Sequence, residues 1–313
     1  MTDAQQEMRA SLTTRAALAS VVTALFLLAL KAFAAWTTGS VAMLGSLADT
    51  ALDVVASLIT LFGVRIAAMP ADREHRFGHG KAESIAALVQ VGIITISAVA
   101  IGWRAIERLA EGATTTHAEY GIAVSLVAIV ATLALVAYQS SIVRRTGSVA
   151  IGTDRLHYQS DLFLNLAVVA ALGLDQFAGL TGADPLFGIA IAAWLLFGAW
   201  RASSRALDQL MDKEWPEERR RRFVAVAARH PDGRGIHDLR TRTSGAHEFA
   251  QFHMWVDPQM TVARAHDVMD EIEEALAREF PGVEILIHLD PEGQIDQPGN
   301  LLVESDETKG LAE

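Results

Sequence analysis

A membrane all-α domain of six transmembrane helices, followed by a small α+β domain, is the fold class this sequence predicts. Three observations carry it. Of the 313 residues 51% are hydrophobic and the mean hydropathy is positive, more apolar than an ordinary soluble chain. Six apolar segments are each long enough to cross a bilayer, at 14–36, 41–69, 82–109, 120–143, 149–180 and 185–207. After Lys213 the apolar runs stop, and short alternating segments with one amphipathic helix take over.

The first segment has no small-residue cleavage site and is expected as a retained first helix. Gly39 and Ser40 separate it from the second, and Pro70 ends the second because the residue before proline avoids helical dihedrals. Gly179, Gly182 and Pro185 separate the fifth from the sixth. Positive charge then sets orientation. Arg9, Arg15, Arg65, Arg73, Arg76, Lys81, Arg144, Arg145, Arg201, Arg205 and Lys213 all fall on one side, against Arg104 and Arg108 on the other. Both termini are therefore expected in the cytoplasm, with the chain a multi-pass inner-membrane protein in contact with lipid.

In the soluble part a helix is expected over 216–230, opened by Pro216 and two glutamates. Strands are expected over 235–243 and 247–256 about a Ser244-Gly245 turn. A helix over 261–280 takes Thr261 as its N-cap, and a last strand covers 283–290. The order α-β-β-α-β predicts helices on one face of a small sheet. The expected domains are a cytoplasmic N-terminal segment 1–13, a transport domain 14–212, a metal-binding and dimerisation domain 213–291 and a disordered acidic tail 292–313.

Composition also excludes functions. With no cysteine there is no disulfide framework and no thiolate metal site, so any metal is held by His, Asp and Glu. A net charge of −11 speaks against nucleic acid as a partner. No Gly-rich run ends in Gly-Lys-Ser or Gly-Lys-Thr, so no ATP loop is expected.

Two pairs of potential ligands lie inside membrane segments: Asp49 with Asp53, and His157 with Asp161. Each pair is spaced i, i+4, which puts both side chains on one helix face a turn apart. A carboxylate at mid-membrane costs about 2.5–3.5 kcal/mol on insertion scales, so three of them need a compensating partner. Together the pairs supply four N/O donors, the tetrahedral complement of Zn2+. Metal and protons compete for such donors, and a histidine titrates near pH 6.5. Proton exchange for metal is the economical energy source. Asp72, His75 and His79 form a further cluster in the basic loop after the second span. Six of the ten histidines lie in the soluble part, where His288 and Asp290 project from one strand face.

The segments 46–57 (SLADTALDVVAS), 70–87 (PADREHRFGHGKAESIAA), 156–165 (LHYQSDLFLN), 237–242 (HDLRTR) and 287–291 (IHLDP) resemble the cation diffusion facilitator family, in particular its bacterial zinc and ferrous-iron efflux branch. The likeness spans 16–291. It implies a homodimeric divalent-metal/proton antiporter with a metallochaperone-like cytosolic domain, not an enzyme. It places the transport site on Asp49, Asp53, His157 and Asp161, and a loop site on Asp72, His75 and His79. It places a binuclear site at the dimer interface on His237, His253, His266, His288 and Asp290. It further implies a charge pair between Lys81 and Asp212 across the dimer. Zn2+ is the expected cargo and regulator, with Cd2+ and Fe2+ as further cargoes and H+ as counter-ion. Asp at position 49 goes with tolerance of Cd2+. Leu289 departs from the family, whose close members have Gln there.

Two other readings compete. A membrane metal-dependent hydrolase needs an open coordination position and a general base, and there is no His-Glu-x-x-His run. A membrane-anchored metal sensor would leave the intramembrane carboxylates unused.

Overall fold

A computed structural model describes residues 3–38, 41–111, 119–178, 183–232 and 234–293 of the chain. The turns at Gly39-Ser40 and at 179–182, and the acidic tail from 294 on, lie outside these residues. The described elements run α1 (Asp3–Thr38), α2 (Val41–Ala67), α3 (Ala82–Glu111), α4 (Glu119–Thr146), α5 (Val149–Ala178), α6 (Ala183–Leu210), α7 (Glu217–Ala227), β1 (Arg234–Ser244), β2 (His247–Val256), α8 (Val262–Glu279) and β3 (Val283–Pro291). This is a helical transmembrane domain followed by a small α/β domain. The chain divides into two compact units, one of Arg9–Pro70 with Lys81–Leu207, the other of Met1–Met8, Ala71–Gly80 and Asp208–Glu313.

Five helices of the first unit, α1, α2, α3, α4 and α6, are long and apolar enough to span a membrane over their described residues. The fifth, α5, has 30 residues, a sufficient length. Asp154, Arg155, His157, Gln159 and Asp161 fall in its first half. Helix α1 starts well before the apolar segment at 14, because hydropathy marks only the membrane portion of a helix whose polar first turns continue the same ladder. Small residues allow close helix approach, as packing in lipid requires: a Cβ added to Gly63 of α2 would come 2.3 Å from the Cβ of Ala86 of α3. Ala16, Ala17, Val21, Leu61, Val64, Ile142, Ala150 and Ile151 form a core among α1, α2, α4 and α5.

In the second unit three strands lie in the order β1-β2-β3, with β1 antiparallel and β3 parallel to β2. Period-2 alternation sends Ala250, Phe252, Met254 and Ile287 into one core with α7 and α8. Phe223 anchors it, with ring centroids 5.2 Å from Phe280 and 5.9 Å from Phe252. The Thr261 side chain accepts from the Arg264 amide at 3.3 Å, which caps α8. The loop Ala71–Gly80 belongs to this unit. Arg242 of β1 lies between two rings, 4.2 Å from Phe77 of the loop and 4.6 Å from Phe249 of β2. Gly80 passes so near the β1–β2 turn that an added Cβ would meet the Ser244 carbonyl oxygen at 2.1 Å.

Candidate metal centres

The intramembrane centre is built from α2 and α5. Asp53, His157 and Asp161 bring one ligand atom each within 4.8 Å of one another. His157 Nε2 lies 3.0 Å from Asp53 Oδ1, with both side chains largely buried, 8% and 17% exposed. Asp49, a turn earlier on α2, is exposed and does not join the three. Asn165 donates to the Asp161 carbonyl oxygen at 2.7 Å, so its amide is engaged with the helix.

One turn before His157 lies a residue that spacing alone did not mark as functional. Asp154 is fully buried and gathers four donors from the surrounding helices. Oδ2 accepts from Ser20 at 2.6 Å and Gln139 at 2.7 Å, and Oδ1 from Gln90 at 3.0 Å and Thr60 at 3.4 Å. Its partners come from α1, α4, α3 and α2. Tyr158 adds a second tie, its hydroxyl 2.7 Å from Ser57 and donating to the Ser20 carbonyl at 3.1 Å. These bonds hold in place the turn of α5 that carries His157, the arrangement supporting partners have at metal sites. Lys31 is also buried in part within α1, donating to Thr50 at 2.7 Å, and its charge acts on Asp161.

The loop centre gathers Asp72, His75 and His79. Asp72 Oδ1 lies 3.2 Å from His75 Nδ1, and Oδ2 lies 3.4 Å from His79 Nε2. Asp72 also accepts from the amides of His75 and Glu74, at 2.6 and 2.9 Å. The His75 amide above all holds this carboxyl below the usual carboxylate range, so it stays ionised and available as a ligand. Nδ1 of His79 is buried without a hydrogen-bond partner.

The soluble-domain centre follows from strand register. His237 opposes His253, and His253 opposes His288, so three imidazoles form a row on the sheet face away from α7 and α8. Asp290, two residues beyond His288, shares that face and is 3% exposed. Its Oδ2 lies 3.0 Å from His253 Nδ1 and 3.5 Å from His237 Nε2, and its Oδ1 lies 3.2 Å from His288 Nε2. The β1–β2 register is irregular on both sides of His237, with Gly235 and Asp238 at φ 54° and 49°. Such bulges re-aim side chains. Here the bulge puts Asp238 near His253, Oδ2 to Nε2 3.8 Å. His266, exposed on α8, pairs with Asp270 at 3.4 Å and stands outside the row. Leu289 packs with the helix-facing core, on the opposite face from His288. Asp212 lies 3.9 Å from Arg242.

Comparison with known proteins matches the cation efflux transmembrane domain over residues 17–211 and the cation efflux protein cytoplasmic domain over residues 215–292. The cation-efflux pump FieF of Pectobacterium atrosepticum is 44% identical over 282 residues, 90% of this chain and 94% of that one. FieF of Escherichia coli O127:H6 is 41% identical over 288 residues, 92% of this chain and 96% of that one. The metal-bound C-terminal domain of the CzcD transporter from Thermotoga maritima is 25% identical, covers 26% of this chain and 99% of its own, and superposes with a TM-score of 0.25. Two matching domains in the right order, with relatives aligned almost end to end, identify the chain as a transporter and not an enzyme: it belongs to the cation efflux, or cation diffusion facilitator, family.

Proposed function

We propose that this protein is a homodimeric antiporter that exports a divalent metal from the cytoplasm across the inner membrane in exchange for protons. Zn2+ is the first candidate cargo, followed by Cd2+ and Fe2+. The contact between His157 Nε2 and Asp53 Oδ1 at 3.0 Å carries the reading. A hydrogen bond there needs a proton between two atoms that would both ligate metal. Metal entry must expel that proton and metal exit must restore it, which is the elementary step of exchange. Asp161 supplies a third donor. Asp49 is proposed as the fourth, since an i, i+4 carboxylate needs only a side-chain rotation to face the same way.

The names of the relatives, cation-efflux pumps, support the direction of transport. The basic residues on one side of the membrane segments support cytoplasmic termini. Residues 213–291 are proposed as the domain that binds regulatory Zn2+ and dimerises. Its row of His237, His253 and His288 around Asp290 offers a mixed N/O donor set suited to Zn2+. A dimer partner would bring further ligands, and His266 is assigned there. Asp72, His75 and His79 are proposed as a separate loop site, and Lys81 with Asp212 as a charge pair between subunits.

The test is metal flux into proteoliposomes. Asp53→Ala and His157→Ala each remove a ligand and are expected to abolish Zn2+ flux while the protein remains inserted and dimeric. Near-normal flux in Asp53→Ala would overturn the site.

A further inference from the structure

A pocket of about 360 Å3 lies between the start of α5 and the last turns of α6, at the end of the helices where α4 turns into α5. Arg155, Arg201 and Arg205 line it, and no lining residue is acidic. Arg155 is half-buried, with Arg205 and Arg144 as its charged neighbours, so like charges are held together here. Among the described residues its Nε is buried without a hydrogen-bond partner, and its Nη1 donates to Ser140 at 3.5 Å. The remaining wall is apolar and aromatic, with Leu156, Trp194 and Phe197. Arg201 lies 5.8 Å from the Phe197 ring.

Three guanidinium groups around one concave site repel one another unless an anion sits among them. Arginine binds phosphodiester oxygens with paired N–H donors. Trp and Arg together are the side chains expected at the depth of lipid headgroups. Basic pockets between transmembrane helices on the cytoplasmic side take acidic headgroups. We propose that this pocket binds one anionic phospholipid, its phosphate held by Arg155, Arg201 and Arg205 and its upper acyl chain against Leu156, Trp194 and Phe197. The choice of lipid over a soluble phosphate follows from the apolar wall, which a free anion leaves uncovered. Assignment to the cytoplasmic leaflet rests on the orientation proposed above, whereas binding itself does not.

The experiment is native mass spectrometry of the full-length protein in neutral detergent, titrated with phosphatidylglycerol, phosphatidylcholine or inorganic phosphate. Phosphatidylglycerol is expected to bind in preference to phosphatidylcholine. Arg155→Gln with Arg205→Gln should weaken it by about fivefold for each charge removed. Arg65→Gln, an exposed basic residue at the end of α2, should leave it unchanged. Should the double variant fail to fold, Arg205→Gln alone removes an exposed charge and should still show the single step. The proposal is overturned if phosphatidylglycerol and phosphatidylcholine bind alike, if the preference survives loss of the arginines, or if millimolar inorganic phosphate displaces the lipid. None of these readouts involves metal flux, so the lipid site stands or falls apart from the transport reading.

Discussion

At the residue scale the fold concentrates its unusual chemistry on two successive turns of α5. Asp154, His157 and Tyr158 of α5 reach four other helices through hydrogen bonds. Leaving a buried donor unpaired costs about 1–3 kcal/mol, and Asp154 satisfies several at once. Asp154→Leu is therefore expected to lower stability by at least about 2 kcal/mol. Thermal denaturation in detergent would read this, and an unchanged midpoint would refute the role. Asp49→His tests a different residue. It should shift selectivity toward Zn2+ over Cd2+ in a competition flux assay, and an unchanged ratio would exclude position 49 as a determinant. That His157 and Asp161 share a face was legible in the sequence from their i, i+4 spacing, whereas spacing did not show that Asp53 meets them while Asp49 stays apart. The network behind them was not legible either. Ser20 and Gln90 lie 134 and 64 residues from Asp154, and periodicity within one helix says nothing of which neighbour it meets. Lys31 was missed for the same reason.

At the element scale the soluble domain was the most readable part. Alternation, the Thr261 cap and the Ser244-Gly245 turn placed its elements within a few residues of those observed. Its strand pattern also put His288 and Asp290 on one face, whereas the row with His253 and His237 needed the pairing register. The docking of loop 71–80 onto the sheet was not legible, since Phe77 and Arg242 are far apart in sequence. Gly80→Ala should loosen that docking, because the new methyl meets backbone at Ser244 and Gly245, which cannot swing aside as a side chain can. Faster proteolysis within the loop would show it, and unchanged protection would contradict it. The joining of α7 to α8 carries a pH dependence. Arg229 first and Arg222 second hold the Glu279 carboxyl below its usual range. That contribution is fully present above the unfolded pKa of about 4.3 and is lost as pH falls through the lower folded value. Glu279→Gln should thus lower the domain's thermal midpoint slightly at pH 7, with the difference vanishing in acid. A difference that grew as pH fell would refute the pair.

At the scale of the whole molecule the sequence showed a membrane domain and a soluble one, and the structure adds how chemistry is shared between them. The three candidate metal groups, in the membrane segments, in the loop and along the strand row, all consist of His and Asp, as those of a chain without cysteine must. Binding of Zn2+ at the strand row would stabilise the folded dimer by mass action. Residues 213–291, expressed alone, should therefore gain thermal stability with Zn2+, and His288→Ala should reduce the gain. The central claim is exchange of metal for protons at Asp53, His157 and Asp161. Its most direct test is one proteoliposome experiment that reads luminal Zn2+ and luminal pH together. The account predicts that Zn2+ entry is matched by proton exit, that an imposed pH gradient drives or stalls both, and that His157→Ala abolishes both. Zn2+ entry with no change in luminal pH, at a rate indifferent to the gradient, would contradict it.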